Sequence, residues 1–257
     1  MQTRILSKNK QKLIRQLSQK KYRDALGLFL AEGPKVVSEL MGRFPCRLLV
    51  CTAEWLSAHP HAEADEVAEV SLEGLQQASL LKTPRSVLAV FARRPAPPAE
   101  GLAEIPRRSL TLALDGVQDP GNVGTILRVA DWFGIEDIFC SLDTADAFAP
   151  KTVQATMGAL ARVRVHYVNL PAFLAGLPRD VPVYGTFLSS PSLWDEPLTS
   201  HGVIILGNEG SGISPAVAEH VGRRLHIPSF PPSRPTSESL NVAIAAAIVC
   251  AEFRRRS

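Results

Sequence analysis

LTLALDGVQDPGNVGTILRVADWFGIEDIFCS, residues 110–141, holds the unit on which the fold turns. LTLALD (110–115) and IEDIFCS (135–141) are short apolar runs of the buried-strand type, and a helix is predicted between them over 122–133. Pro120 and Gly121 break the first strand, and Asn122 is placed to cap the helix. Val123, Ile126, Leu127, Ala130 and Phe133 recur at the three-to-four spacing of a buried stripe. Arg128 stands beside that stripe, and Gly124, one turn earlier, lies below it on the same surface. The missing side chain beneath the cation leaves room for a ligand.

The same alternation continues outward. VRVHYVN (163–169), VPVYGTF (181–187) and GVIILG (202–207) are further strand-like runs, and helices are predicted over 150–161 and 214–222. That order predicts an α/β domain with a mostly parallel sheet and helices on both faces. Upstream, RRPAPPAEGLAEIPRRS (93–109) carries four prolines and a glycine among charges, which predicts a stiff linker with little capacity to join a core. Before it, a basic helix over 7–26, a strand-to-helix stretch LFLAEGPKVVSELM (28–41), and the strands CRLLVCT (46–52) and SVLAVFA (86–92) make a small α/β module. The expected organisation is therefore a module over 1–94, a linker over 95–108 and a larger domain over 109–257.

Bulk properties narrow the function classes. The chain has 257 residues, 46% hydrophobic and 21% charged, a soluble globular composition with room for two cores. No apolar run reaches the length of a membrane span, and LNVAIAAAIVCAEF (240–253) reads as a packed helix. The N-terminus lacks a signal-peptide apolar core, so a cytoplasmic protein is expected rather than a secreted one; because the N-terminus is basic, a mitochondrial presequence is the alternative, less favoured given the folded module matched below. Cys46, Cys51, Cys140 and Cys250 have neither metal-ligand nor redox spacing and read as reduced core thiols, with no metal expected. Net charge is only +3, yet Arg4, Lys8, Lys10, Lys12, Arg15, Lys20, Lys21 and Arg23 all precede the first acidic residue, Asp24. A helix with that many cations can be merely a solvated face, but the uninterrupted sign favours a polyanion, of which the nucleic-acid backbone is the commonest.

In open parallel sheets, ligands bind beyond the carboxyl ends of the strands. Three such ends attract attention: LALDGVQDPGN, VIILGNEGSG and LHIPSFPPSRPTSESLN. GNEGSG is neither the dinucleotide fingerprint nor a P-loop. Its glycines at 207, 210 and 212 let backbone approach a ligand, and Glu209 adds a carboxylate; a tight strand–helix connection accounts for the same residues. SESLNVAIAAAIV opens a helix apolar on all sides, hence expected to be buried, with Ser239 as its cap. Asn241, buried near that start, would need a partner from a ligand or from the glycine-rich turn. Trp132 reads as a packing residue.

NVGTILRVADWFG, LGNEGSGIS and IP…SLNVAIAAAI, in that order and at these separations, resemble the three motifs of the SpoU (TrmH-type) family of S-adenosylmethionine-dependent RNA ribose 2′-O-methyltransferases. KNKQKLIRQLSQKKYRDALGLFLAEGPKVVSEL and LLKTPRSVLAVF look like the ribosomal-protein-like RNA-binding domain of members that act on ribosomal RNA. The resemblance implies a SPOUT-type domain with a deep trefoil knot around residues 203–232, a homodimer formed through helices beside the knot, and RNA as partner. It implies S-adenosyl-L-methionine as cofactor, held by main-chain groups at Gly207, Ile227 and Leu240. It places the functional side chains at Asn122, Arg128, Glu209, Ser239 and Asn241. Arg128 is the residue implied to act on the 2′-hydroxyl. A guanidinium is always protonated in proteins, so a charged arginine that stabilises the forming alkoxide is expected. The alternatives in view are a non-catalytic ribosome-assembly factor and the same chemistry on transfer RNA. One departure from the family pattern is SFPPSRPTSE (229–238), longer than the usual connection, whose Arg234 is expected to be solvated.

Overall fold

The structure, a computed structural model, describes residues 6–95, 101–231 and 237–256. In chain order the elements are α1 (Lys8–Gln16), α2 (Lys20–Leu26), β1 (Leu28–Glu32), α3 (Pro34–Leu40), β2 (Cys46–Cys51), α4 (Ala53–Ala58), β3 (Val67–Glu69), α5 (Leu72–Ala78) and β4 (Val87–Ala92). There follow α6 (Ile105–Arg108), β5 (Leu110–Asp115), α7 (Pro120–Trp132), β6 (Asp137–Cys140), α8 (Pro150–Thr156), β7 (Arg164–Tyr167), α9 (Leu170–Ala175), β8 (Val183–Thr186), β9 (Gly202–Gly207), α10 (Pro215–Ala218), β10 (Arg223–Leu225) and α11 (Val242–Arg255). Two compact units result: Met1–Pro95 with Asp146–Ala161, and Ala96–Ala145 with Arg162–Ser257.

The first unit is built on a four-stranded sheet in the order β1-β4-β2-β3, with β4 antiparallel to both neighbours and β3 parallel to β2. Its core gathers Ile14, Leu17, Leu30, Leu48, Val50, Leu75, Leu88 and Val90. The basic segment expected as one helix is two, separated at Leu17–Gln19. Gln19 is extended, and Ser18 Oγ donates to the Arg15 carbonyl. Arg23 turns inward and gives Nη1 to the Leu17 and Ser18 carbonyls at 2.9 Å each, satisfying oxygens that the end of α1 leaves open. Arg23 is buried, so it leaves the set of cations expected to face a polyanion; Arg4 lies outside the described residues.

Asp146 completes this arrangement by accepting from Arg23 Nε at 2.9 Å and Nη2 at 2.7 Å. Nearby, the Phe148 ring lies 5.0 Å from that of Phe29, and the Arg93 guanidinium sits 4.7 Å from the Phe148 centroid. Gly158 closes the segment at φ 98°, where a Cβ would come within 2.5 Å of Glu39 Cβ, so only glycine fits. Residues 146–161 thus share the first unit's core although they sit far along the chain from it.

The second unit is a six-stranded sheet in the order β10-β8-β9-β5-β6-β7, parallel at every pairing. Every residue of β5 is buried, as a strand covered on both faces requires. Residues 102–108 do join a core, contrary to the linker reading. Leu102–Glu104 form a 3-10 turn, Pro106 sits in the first turn of α6, and Leu102 and Ile105 pack on the cluster containing Ala113, Phe139, Val203 and Ile205. Residues 96–100 of that stretch lie outside the described residues. The strand β3 escapes the sequence reading because it is only three residues long, and β10, equally short, was marked only by the strand end at Leu225.

The cap of α7 is Asp119, whose Oδ1 accepts from Asn122 N at 2.8 Å, with Pro120 at the first helical position. Asn122 is therefore not the cap, and its side chain is free for other work. Beside α7 runs α11, parallel to it. Their starts are joined by Asn241 to Asn122, and their ends by Arg254 to the Phe133 and Gly134 carbonyls. Nor is α11 buried all round. Val242, Ala243, Ala246, Val249, Cys250 and Phe253 face the core, whereas Ile244 is 53% exposed and Ala247, Ile248 and Ala251 continue that open stripe. Trp132, at 84% exposure, is no packing residue within the chain. All four cysteines are buried and unpaired, with burial pushing the Cys46 and Cys250 thiols up to about 12. Among the described residues no helix is long and apolar enough to cross a membrane.

Candidate active site

The loops leaving β5 and β9 and the stretch entering α11 meet through one polar relay. Asn241 Oδ1 caps α11 by accepting from Ala243 N at 3.0 Å and Ile244 N at 3.3 Å. With its oxygen engaged, its amide nitrogen donates to Asn122 Oδ1 at 3.0 Å. That contact in turn leaves Asn122 Nδ2 to donate to Glu209 Oε1 at 2.6 Å. A carboxylate only accepts, so the direction of every bond and the orientation of both amides are fixed by the chain of donors. Asn241 is exposed rather than buried, and its partner is another loop's asparagine. Ser239 is also exposed and is not the cap of α11, a position that Asn241 fills.

Beneath the relay, Asn208 holds the turn in shape. Its Nδ2 donates to the Gly116 carbonyl at 2.7 Å, joining the β9 end to the β5 end, and its Oδ1 accepts from Gly210 N and Ser211 N. Backbone bonds between Asn208 and Gly212 close the turn. Asp115 Oδ2 accepts from Ser214 N at 2.7 Å, and Ser141 Oγ receives Gly116 N at 2.8 Å. The sequence reading passed over Asn208. Its signal was an asparagine at the start of a glycine-rich turn, where a side chain that bonds forward to backbone N–H groups is favoured. Gly207 admits no substitution, since a Cβ there would lie 2.3 Å from Gly212 C and Ile213 N.

Arg128 lies on the solvent face of α7 with Thr125 and Trp132. Among the described residues it makes no hydrogen bond or ion pair, so its five donors are uncommitted. Ile227 is half-buried just beyond β10, and Leu240 is 47% exposed just before α11. Both are apolar side chains left open at strand-end loops. Among the described residues no hydrogen bond ties Arg128, Ser239, Ile227 or Leu240 to the relay. Arg234 falls outside the described residues.

Comparison with known proteins gives the following. The model of the SpoU rRNA Methylase family matches residues 109–251, and that of the MRM3-like substrate binding domain matches residues 8–89. The 23S rRNA (guanosine(2553)-2′-O)-methyltransferase RlmP of Bacillus subtilis is 37% identical over 175 residues, a stretch that spans 67% of this chain and 66% of RlmP. A solved TrmH-family structure from Porphyromonas gingivalis superposes with a TM-score of 0.88 at 45% identity, covering 98% of this chain and all of that one (100%). An AdoMet-bound rRNA methyltransferase from Sinorhizobium meliloti gives a TM-score of 0.82 at 31% identity over 98% and 96% of the two chains.

Proposed function

The chain belongs to the SpoU rRNA Methylase family, and from that premise we propose that it transfers the methyl group of S-adenosylmethionine to a ribose 2′-hydroxyl of large-subunit ribosomal RNA. The observation that carries this reading is the Glu209–Asn122–Asn241 relay, which links one side chain from each of the three family motifs. Support for the substrate comes from RlmP, named for 23S rRNA, and from the match of the first unit to a substrate-binding domain. The AdoMet-bound relative supports the cofactor.

The residues present fit that cofactor. Gly207 lets the 212–213 backbone close tightly on the β9 end, while Ile227 and Leu240 offer apolar surface, and main-chain groups at these three positions would hold it. S-adenosylmethionine supplies an electrophilic methyl on a good leaving group. The protein's own work is to orient the ribose and make its 2′-oxygen nucleophilic. Arg128 has unspent donors, and we assign it to the 2′-oxygen, whose developing negative charge a fixed guanidinium stabilises. Asn122 orients the substrate backbone near Arg128, Glu209 and Asn241 hold Asn122 in place, and Ser239 offers a hydroxyl at the same rim. Arg128→Ala should reduce methyl transfer by about 10²–10³-fold while cofactor affinity and melting temperature stay unchanged. Methylation at near wild-type rate would refute the assignment.

The homodimer, the knot and a cytoplasmic location belong to the same proposal. Support for a dimer is the apolar stripe Ile244, Ala247, Ile248 and Ala251 on the outer face of α11, together with exposed Trp132 on the neighbouring α7. Support for a knot is that β10 stands at one edge of the sheet whereas α11, the next described element in the chain, lies against α7 and β9.

A further inference from the structure

We infer that the first unit holds unpaired, single-stranded RNA in one defined groove along α1, with Tyr22 as a base-stacking platform. The inference rests on the proposed function for the identity of the polymer, and it specifies how that polymer is gripped. The groove measures about 320 Å³ and is lined by Lys8, Gln11, Lys12, Arg15, Gln16, Gln19 and Tyr22. Lys8, Gln11, Lys12, Arg15 and Gln16 recur at intervals of three and four along α1, so they form a continuous stripe on it, and Gln19 in the break and Tyr22 in α2 extend the lining. Lys8 and Lys12 make no hydrogen bond or ion pair among the described residues. Arg15 reaches only the Gln77 carbonyl, at 3.4 Å. Of the other described cations of the basic segment, Lys10 pairs with Glu66, Lys20 with Asp24, Arg23 lies in the interior, and Lys21 stands against the Tyr22 ring that lines the groove. The uncommitted positive charge is thus gathered into this groove, and no acidic side chain lines it.

Three features favour a nucleic-acid strand over an acidic peptide. Lys8, Lys12 and Arg15 are spaced along the helix by about 6 Å and about 4.5 Å, a row suited to successive phosphates rather than to one carboxylate. Tyr22 is only half-buried, with the Lys21 ammonium 4.9 Å from its ring centroid, so an aromatic face and a fourth cation border the row. Gln16 and Gln19, which carry both donors and acceptors, can meet the edges of unpaired bases. Cations that track a backbone beside an aromatic platform are the usual means of binding single strands, whereas duplex RNA would bury its base faces and leave Tyr22 unused.

The test measures full-length protein against a fluorescent 12-nucleotide single-stranded RNA by anisotropy, across a salt series. Each lost phosphate contact should lower the slope of log affinity against log salt by about 0.7, so the K8A/K12A/R15A protein should lose about 2 from it. Tyr22→Leu should weaken binding by roughly 5- to 150-fold, the equivalent of one stacked base, with Tyr22→Phe close to wild type. In methylation assays on ribosomal RNA these variants should raise KM and spare kcat, with cofactor affinity by calorimetry unchanged. An unchanged salt slope, equal competition by duplex RNA, or equal competition by polyglutamate would each overturn the groove assignment. Wild-type protein that fails to bind S-adenosylmethionine or to methylate would instead sink the proposed function, so the two failures are distinguishable.

Discussion

Replacing Asp146 with alanine tests the most consequential long-range contact in the first unit. The Arg23 and Asp146 side chains are only 3% and 9% exposed. Asp146 Oδ2 takes two donors from Arg23, and Oδ1 accepts Phe148 N at 2.9 Å. Alanine at 146 leaves a buried guanidinium with only the Leu17 and Ser18 carbonyls, and strips Phe148 N of its acceptor. Removing one partner of a buried pair costs about 3–5 kcal/mol, which is much of the whole stability of a typical domain. For a chain of this length that corresponds to a fall of about 6–20 °C in melting temperature, at about 2–4 °C per kcal/mol. Urea unfolding should be followed by fluorescence of Trp55, buried in the first unit, in a background where Trp132 and Trp194 are phenylalanine. The double variant Arg23→Met, Asp146→Leu should recover part of the loss, because it removes both charges and leaves apolar bulk. A single-variant loss below about 1 kcal/mol, as for a surface pair, would refute the reasoning, as would a double variant less stable than either single one.

Three further outcomes are expected. Ile244→Asp should convert the proposed dimer to monomer in light scattering, since a charge would stand on the open stripe of α11; a dimer that survives this change and Trp132→Lys would exclude that face. Asn122→Ala removes the middle of the relay and leaves Glu209 and Asn241 without their shared partner; methyl transfer should fall at least tenfold with a stability loss of about 1–2 kcal/mol, and unaltered turnover would exclude a role for the relay. Glu252 is held down to about 2 from 4.5, first by the hydrogen bond from Arg255 and then by Arg256 against the opposing effect of burial. A depressed carboxylate contributes stability above its unfolded value that is lost as pH falls through the folded one. The extra fall in stability between about pH 4.5 and pH 2 should therefore be absent from Glu252→Gln, as measured by urea unfolding at each pH.

Much of this protein was written in local pattern. Buried parallel strands announce themselves as unbroken apolar runs because both faces are covered, and LTLALD and GVIILG became β5 and β9 residue for residue. The strand-end rule and the three motifs marked Asn122, Glu209 and Asn241 before any contact was known, since glycine- and asparagine-rich turns carry their own signals. Short range also limits what such signals reach. Whether Asn122 caps its helix depends on Asp119 taking that position first, and a one-dimensional pattern holds two good caps three residues apart. The apolar sequence of α11 gives no hint of which side stays open, because alanine and isoleucine suit core and interface alike.

What only the folded chain decided were contacts between residues far apart in sequence. The relay spans 87 residues between Asn122 and Glu209 and 119 between Asn122 and Asn241; Arg23 meets Asp146 across 123. Composition counted Arg23 among the cations available to a polyanion, and burial withdrew it while leaving Lys8, Lys12 and Arg15 on the surface. Sequence thus set which segments are strands and helices, through hydrophobic period and turn chemistry. The pairing of polar groups awaited the tertiary structure, because a buried donor must find an acceptor wherever packing brings one, and no local rule fixes that address.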